Sequence, residues 1–374
     1  MPKGILVRSP QVTIAGMVSG VTEPVTLEWA LGGKGGGLVP LTATAAPSAR
    51  SFSFETTLPE GVARIALTLR RQGGHQSGQV AGGQGGDGGE LSRTELAYLC
   101  VPETDKGGKL PEVRQRWAVV IGISQYAHGG QSFPNLRFAQ RDARAFADFL
   151  LGPRSGGFAP QRVMCLLDKD ATAANVRHAL FEFLAQAGKD DLVVIFFSGH
   201  GMPEPGTDNF FMLCHDTRPD RLVSTGFPMW DIETALRRFV KAERVVVLAD
   251  ACHAGVISTP PGAKAGAENP VHQYLHQLAL AQPGRLIFTA SEARELSYES
   301  EKWGGGHGAF TWCILEGLSG KADRNRDGVV STGELIDYVQ EAVKGVTDGR
   351  QHPNPAGQFD RRLPLGVVLE EGGK

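Results

Sequence analysis

The feature that most constrains this chain is a change in the period of its apolar residues near residue 104. Up to there the apolar signal alternates, at residues 25–29, 52–54, 65–69 and 96–100. Alternation at period two marks strands with one buried face, and no helical stripe lies between these short segments. Residues 1–104 are therefore expected to form a small, all-β, sandwich-like domain. Residues 105–114 are polar, contain a proline and read as a linker. Beyond them, unbroken apolar runs at 117–123, 163–167, 192–197, 245–249 and 286–290 alternate with amphipathic stretches. One stretch places Ala139, Ala143, Phe146, Ala147 and Leu150 on a single face, a second Val176, Leu180, Phe183 and Leu184, and a third Ile232, Leu236, Phe239 and Val240. Strands apolar on both faces, separated by helices, specify a mainly parallel sheet in a three-layer α/β domain over 115–374. Such sheets carry their sites at the carboxyl ends of the strands.

Composition removes several function classes. The net charge of -2 gives no broad attraction for nucleic acid or an anionic membrane. No apolar run reaches the ~18 residues of a membrane span, and the start lacks a secretory signal, so a cytoplasmic protein is expected. The five cysteines (Cys100, Cys165, Cys214, Cys252, Cys313) are widely spaced without a C-x-x-C, which argues against a disulfide framework or a zinc site. Glycine is abundant, at 49 of 374 residues, with five inside 32–37 and nine inside 73–90. No three-residue period runs through them, so these clusters are expected in loops or hairpin tips of the β domain.

Two of the α/β strands run into unusual residues. The run at 192–197 enters Ser198-Gly-His200-Gly201, and the run at 245–249 enters Asp250-Ala-Cys252-His253-Ala-Gly255. On neighbouring strands, His200 and Cys252 would lie close enough for a thiol and its base to act on one carbonyl. The backbone N–H groups of Gly201 and Cys252 are candidate oxyanion donors. His253 is a poor alternative base, since adjacent residues point apart.

The pair of motifs resembles those of the caspase-like cysteine proteases (peptidase family C14), in particular the metacaspase-like prokaryotic branch, over about residues 115–345. Asp250 stands where a caspase has glutamine, and His253-Ala254 precede the glycine. The resemblance implies a specificity pocket in which Asp250, Asp142 of the first helix and Ser198 accept an arginine or lysine side chain. It implies a cysteine endopeptidase, with Cys252 as nucleophile and His200 as general acid, acting on proteins with exposed Arg or Lys sites. A zymogen activated by proteolysis or calcium, within a bacterial stress or defence cascade containing an activating protease or an inhibitor, belongs to the same expectation. The alternative is an inactive caspase-fold scaffold acting through the β domain or a calcium loop.

That loop is residues 323–334, which fits D-x-[DN]-x-[DN]-G-x5-E at each ligand position. Asp323, Asn325, Asp327 and Glu334 would supply side-chain oxygens to Ca2+, Val329 a carbonyl, and Ser331 a direct or water-mediated ligand. A metal-free turn is the competing reading. Lys264, in a small-residue, proline-bearing stretch after the cysteine motif, is a candidate processing site, with a tolerated surface insertion as the alternative.

Overall fold

The computed structural model describes the chain apart from residues 1–3, 8–10, 20–23, 32–33, 44–48, 58–60, 72–89, 101–112, 131–132, 205, 208, 254–282, 293–294 and 369–374. It divides into two compact units, 1–109 with 369–374, and 110–368.

The first unit contains two sheets. One is five-stranded, in the order Gly4–Val7, Glu90–Cys100, Gly61–Arg71, Val25–Leu31, Lys34–Val39; the other pairs Gln11–Ser19 and Thr42–Ala43 with Ala49–Thr57. All pairings are antiparallel except that of Gly4–Val7 with Glu90–Cys100. Ile14 from the second sheet and Leu27, Val39, Ile65 and Leu67 from the first close on a small core, as the alternating pattern requires. One glycine cluster departs from expectation. Gly35, Gly36 and Gly37 lie within the strand Lys34–Val39 rather than in a loop. The Trp29 indole crosses Gly36 so closely that a Cβ there would sit 2.4 Å from the ring. Gly37 has φ +145, beside a register shift at Trp29/Ala30. These glycines make room for tryptophan and a bulge. The 73–90 cluster lies, but for Glu90, outside the described residues.

The second unit is the three-layer domain. We label its principal strands β1 (Arg116–Gly122), β2 (Val163–Leu167), β3 (Leu192–Pro203), β4 (Arg244–His253), β5 (Arg285–Thr289) and β6 (Asn354–Ala356). Their order in the sheet is β2-β1-β3-β4-β5-β6, parallel except for the last. Helices α1 (Ala139–Leu151), α2 (Ala173–His178), α3 (Met229–Thr234), α4 (Ala309–Glu316) and α5 (Thr332–Val346) cover its faces. Residues of α2 and α3 join one core with Val193, Ile195, Val245 and Val247. Residues of α1, α4 and α5 join the other with Val194, Phe196, Val246 and Leu248. Successive strand residues thus feed opposite cores, the reason these runs are apolar without alternation. In the second core Phe196 stacks on Phe146 at 4.7 Å and Phe288 meets Phe310 edge-on at 5.0 Å. Each such burial stabilises the fold by roughly 1.5–3 kcal/mol.

Phe239 corrects one assignment, being 40% exposed although it packs edge-on against Phe181. The turn ends at Val240, whose N–H bonds back to Ala235, and leaves the phenyl at the rim. Among the described residues, Cys165, Cys214 and Cys313 are free thiols, and no helix is long and apolar enough to cross a membrane.

The chain leaves β1 toward β2 on one side and later returns to β3 on the other, so strand order reverses between β1 and β3. A crevice opens at the carboxyl ends of strands at such a reversal. Gly122 ends β1 there, and a Cβ on it would lie 2.3 Å from the Cβ of Ala143 and 2.7 Å from the Ala139 carbonyl oxygen. Glycine on the strand and alanines on α1 let helix and sheet approach closely, bringing the first turn of α1 to the crevice.

Candidate active site

Strand β3 continues past its apolar run because Gly201, Met202 and Pro203 pair antiparallel with Met212, Phe211 and Phe210. His200 is thereby held inside the sheet, 1% exposed, instead of at a loop tip. Its backbone N–H donates to the Tyr126 hydroxyl at 2.8 Å, and its Nε2 lies 2.8 Å from the carbonyl oxygen of Pro134. A carbonyl only accepts, so Nε2 carries the hydrogen and, in the neutral ring, Nδ1 is the basic nitrogen. Both partners come from the segment after β1. The Tyr126 ring lies 5.3 Å from the imidazole.

Strand β4 runs parallel to β3 in a register that pairs His200 with Cys252 and Ser198 with Asp250. Paired residues on neighbouring strands are about 4.8 Å apart in the backbone. The two unusual motifs therefore meet residue by residue. Gly201 lies between two strands, and the Phe210 ring occupies the space its Cβ would need, at 2.5 Å.

Three polar residues expected in the specificity pocket are buried together. Asp142, Ser198 and Asp250 are 2%, 3% and 4% exposed. Asp142 sits on the apolar face of α1 with Ala139, Ala143 and Phe146. Its Oδ1 is 2.6 Å from His307 Nδ1, and the Gly308 N–H donates to its Oδ2 at 3.1 Å. The Oδ2 of Asp250 accepts from the Thr311 hydroxyl at 2.7 Å. Gly308 separates the two carboxylates. A Cβ there would lie 2.6 Å from the Asp250 Oδ2 and 3.2 Å from the Asp142 Oδ2. Burial pushes the Asp250 carboxyl up to about 7, helped by the charge of Asp142 and opposed by Thr311. Burial likewise raises Asp142 to about 6 against its bonds to His307 and Gly308. Both carboxyls, at the carboxyl edge of the sheet, are held back from ionising by desolvation.

Neither Tyr126, Pro134, His307, Gly308 nor Thr311 stands out in the sequence. Tyr126 and Pro134 matter through strand order, and His307 follows three glycines with no motif around it. Lys264 lies outside the described residues.

The 323–334 loop is curled by left-handed residues Arg326 (φ 58) and Gly328 (φ 80). Asp323 accepts the Asp327 and Gly328 amides, and Asp327 accepts that of Val329. Ser331 and Glu334 form a capping box at the start of α5 through Oε2, leaving Oε1 of Glu334 buried without a hydrogen-bond partner among the described residues. Val329–Ser331 pairs with Pro364–Val367. Among the described residues, no three His, Cys, Asp or Glu side chains converge as a metal-binding group. Backbone and residue types fit an oxygen-ligated cation, while Glu334 is turned toward its helix.

Fold and site together define a three-layer α/β protein with a histidine and a cysteine in register at the carboxyl edge of a parallel sheet. The chain belongs to the caspase-domain family of cysteine peptidases: the profile of that family, Peptidase C14, matches residues 115–363, about two thirds of the chain. No curated protein matches it. Among solved structures, one similar chain is a Geobacter sulfurreducens protein determined by structural genomics. It is 19% identical, with 68% of this chain and 100% of that one covered, at a TM-score of 0.47.

Proposed function

We propose that the protein is a metacaspase-like cysteine endopeptidase that cleaves protein substrates after arginine or lysine. The observation that carries this reading is the pair of buried carboxylates, Asp142 and Asp250, on either side of Gly308. A guanidinium offers five donors in a plane and can bridge both, through charge-assisted hydrogen bonds. An aspartate side chain would instead add a third negative charge in a desolvated place. Ser198, beside Asp250 across the strands, offers a hydroxyl.

In the reaction, the Cys252 thiol yields its proton to His200 and the thiolate attacks the carbonyl carbon of the P1 residue. The amides of Gly201 and Cys252 stabilise the oxyanion. Collapse breaks the C–N bond, the leaving amine takes the proton from His200, and a thioester remains. Water, giving a proton to His200, then releases the acid and restores the thiol.

Fluorogenic peptides with Arg, Lys or Asp at P1, offered to wild type and Cys252→Ala, test this. Wild type is expected to cleave the basic peptides and Cys252→Ala none. Cleavage of the Asp peptide alone would overturn the pocket, and activity surviving in Cys252→Ala would overturn the nucleophile. Silence toward every peptide, with and without calcium, would favour the inactive scaffold. Intact mass in the same incubations reads self-processing: a cut after Lys264 that requires Cys252 supports it, and an unchanged mass removes it.

Calcium at 323–334 is part of the same proposal, held by Asp323, Asn325, Asp327, Val329, Ser331 and Glu334, with the Glu334 carboxylate turning from its cap to the ion. A ligand of the folded state raises Tm with its concentration. Calcium should therefore raise the Tm of wild type and not of an Asp323→Ala/Glu334→Ala double variant. An equal response in both would eliminate the loop as the site.

A further inference from the structure

A short hairpin, Glu299–Ser300 paired with His307–Gly308, lies against the carboxylate pair. Its turn ends in Gly304, Gly305 and Gly306, all left-handed in φ at 55, 81 and 126. That turn is strapped to α1. Arg141 donates from Nη1 to the Gly305 carbonyl at 2.6 Å and from Nη2 to that of Gly304 at 3.3 Å. The Phe138 ring fills the space a Cβ on Gly306 would need, at 2.4 Å. The Glu299 carboxylate accepts the amides of Arg137 and Phe138. The place of His307 is therefore fixed from both sides. It is 7% exposed, with Nδ1 2.6 Å from the Asp142 Oδ1.

We infer that His307 is a positioning residue for substrate selection: it holds the Asp142 carboxylate ready for a P1 cation. The inference rests on the arginine/lysine reading above. An imidazole that donates Nδ1–H to Oδ1 favours the charged form of Asp142 over the neutral one. The charged neighbours do not blunt this. Arg141 of α1 is directed at the glycine carbonyls, Arg137 pairs with Glu301 at 2.5 Å, and Glu299 is taken by backbone amides. Helix α4 contributes Thr311 and Trp312, neither charged, and β4 contributes Asp250. Because burial already holds back both aspartates, a donor that favours the charged form of Asp142 decides how much of it is ionised near neutral pH.

Two variants test the holding role. His307→Leu removes the donor, and His307→Gln keeps one. With an Arg-P1 peptide, His307→Leu is expected to raise KM about ten- to a hundredfold, the worth of a hydrogen bond to a charged group. Its kcat should stay near wild type, and the acid limb of its kcat/KM profile should move to higher pH. His307→Gln should keep KM within a few-fold of wild type and its acid limb close to the wild-type position. Agmatine, a guanidinium without a scissile bond, provides a binding readout: it should raise the Tm of wild type and His307→Gln more than that of His307→Leu. Wild-type KM, limb and agmatine shift in a folded His307→Leu would overturn the holding role. A KM in folded His307→Gln as high as in His307→Leu would show that the donor does not hold Asp142, and would overturn it as well. If wild type neither cleaves Arg-P1 peptides nor responds to agmatine, the pocket reading itself falls and takes the inference with it.

Discussion

Replacing Asp250 with asparagine is expected to give a protein more heat-stable than wild type at pH 8, yet at least about a hundredfold poorer in kcat/KM on an Arg-P1 peptide. Burial raises the Asp250 carboxyl from an ordinary value of 3.8 to about 7. A carboxyl raised on folding contributes stability that is fully present below its unfolded pKa and is lost as pH rises through its folded one. Wild type therefore loses stability between about pH 4 and 7 on account of this group, by an amount on the order of a few kcal/mol. Asparagine can keep the bond from the Thr311 hydroxyl and present its amide toward Asp142, without a charge to desolvate. The Tm difference should vanish near pH 4 and widen toward pH 8. Catalysis should move the other way, because truncating one partner of a buried charge pair costs ~3–5 kcal/mol. The wild-type acid limb has the same origin: kcat/KM for basic P1 residues should fall as pH drops through about 7 and then 6, as Asp250 and Asp142 take up protons. A variant less stable than wild type at pH 8 that still cleaves Arg-P1 peptides would sink the account of the pocket.

The arrangement was legible in the sequence to the extent that single elements determine it. Apolar runs without alternation identify strands buried on both faces, and β1 through β5 follow from them, with described helices between β1 and β4. The His200 and Cys252 motifs announce themselves by ending two such runs, and the register aligns them. Asp142 is a middle case. It could be read as one more exposed carboxylate among Arg137, Arg141 and Arg144, yet it stands three residues after Ala139 and four before Phe146, on the apolar stripe of α1. Helical spacing alone places it inward. The rest depends on contacts between segments far apart in the chain. Asp142 and His307 are 165 residues apart, and Tyr126 and His200 are 74. No local pattern encodes such pairs. The glycines misled in the first unit for a related reason: Gly36 is small because Trp29 lies across it, which only the pairing of their strands reveals.

His200→Ala tests the other half of the site and should fail in a different way. His200 is held by its backbone N–H on the Tyr126 hydroxyl and by Nε2–H on the Pro134 carbonyl, and in the proposed mechanism its Nδ1 exchanges protons with the thiol and the leaving amine. Removing the ring takes away that exchange, worth ~10²- to 10⁴-fold in rate, and leaves Asp142, Asp250 and His307 in place. The loss should fall on kcat, with KM for an Arg-P1 peptide and the agmatine-induced rise in Tm close to wild type. Asp250→Asn should do the reverse, abolishing the agmatine response and raising KM. The two variants thus divide the carboxyl edge of the sheet between chemistry on one side of β3 and recognition between α1 and β4. If His200→Ala also lost its response to agmatine, histidine and carboxylates would form a single coupled unit, and the division would be wrong. If it retained wild-type kcat, His200 would not be the acid–base group, and another proton acceptor near Cys252 would have to be found.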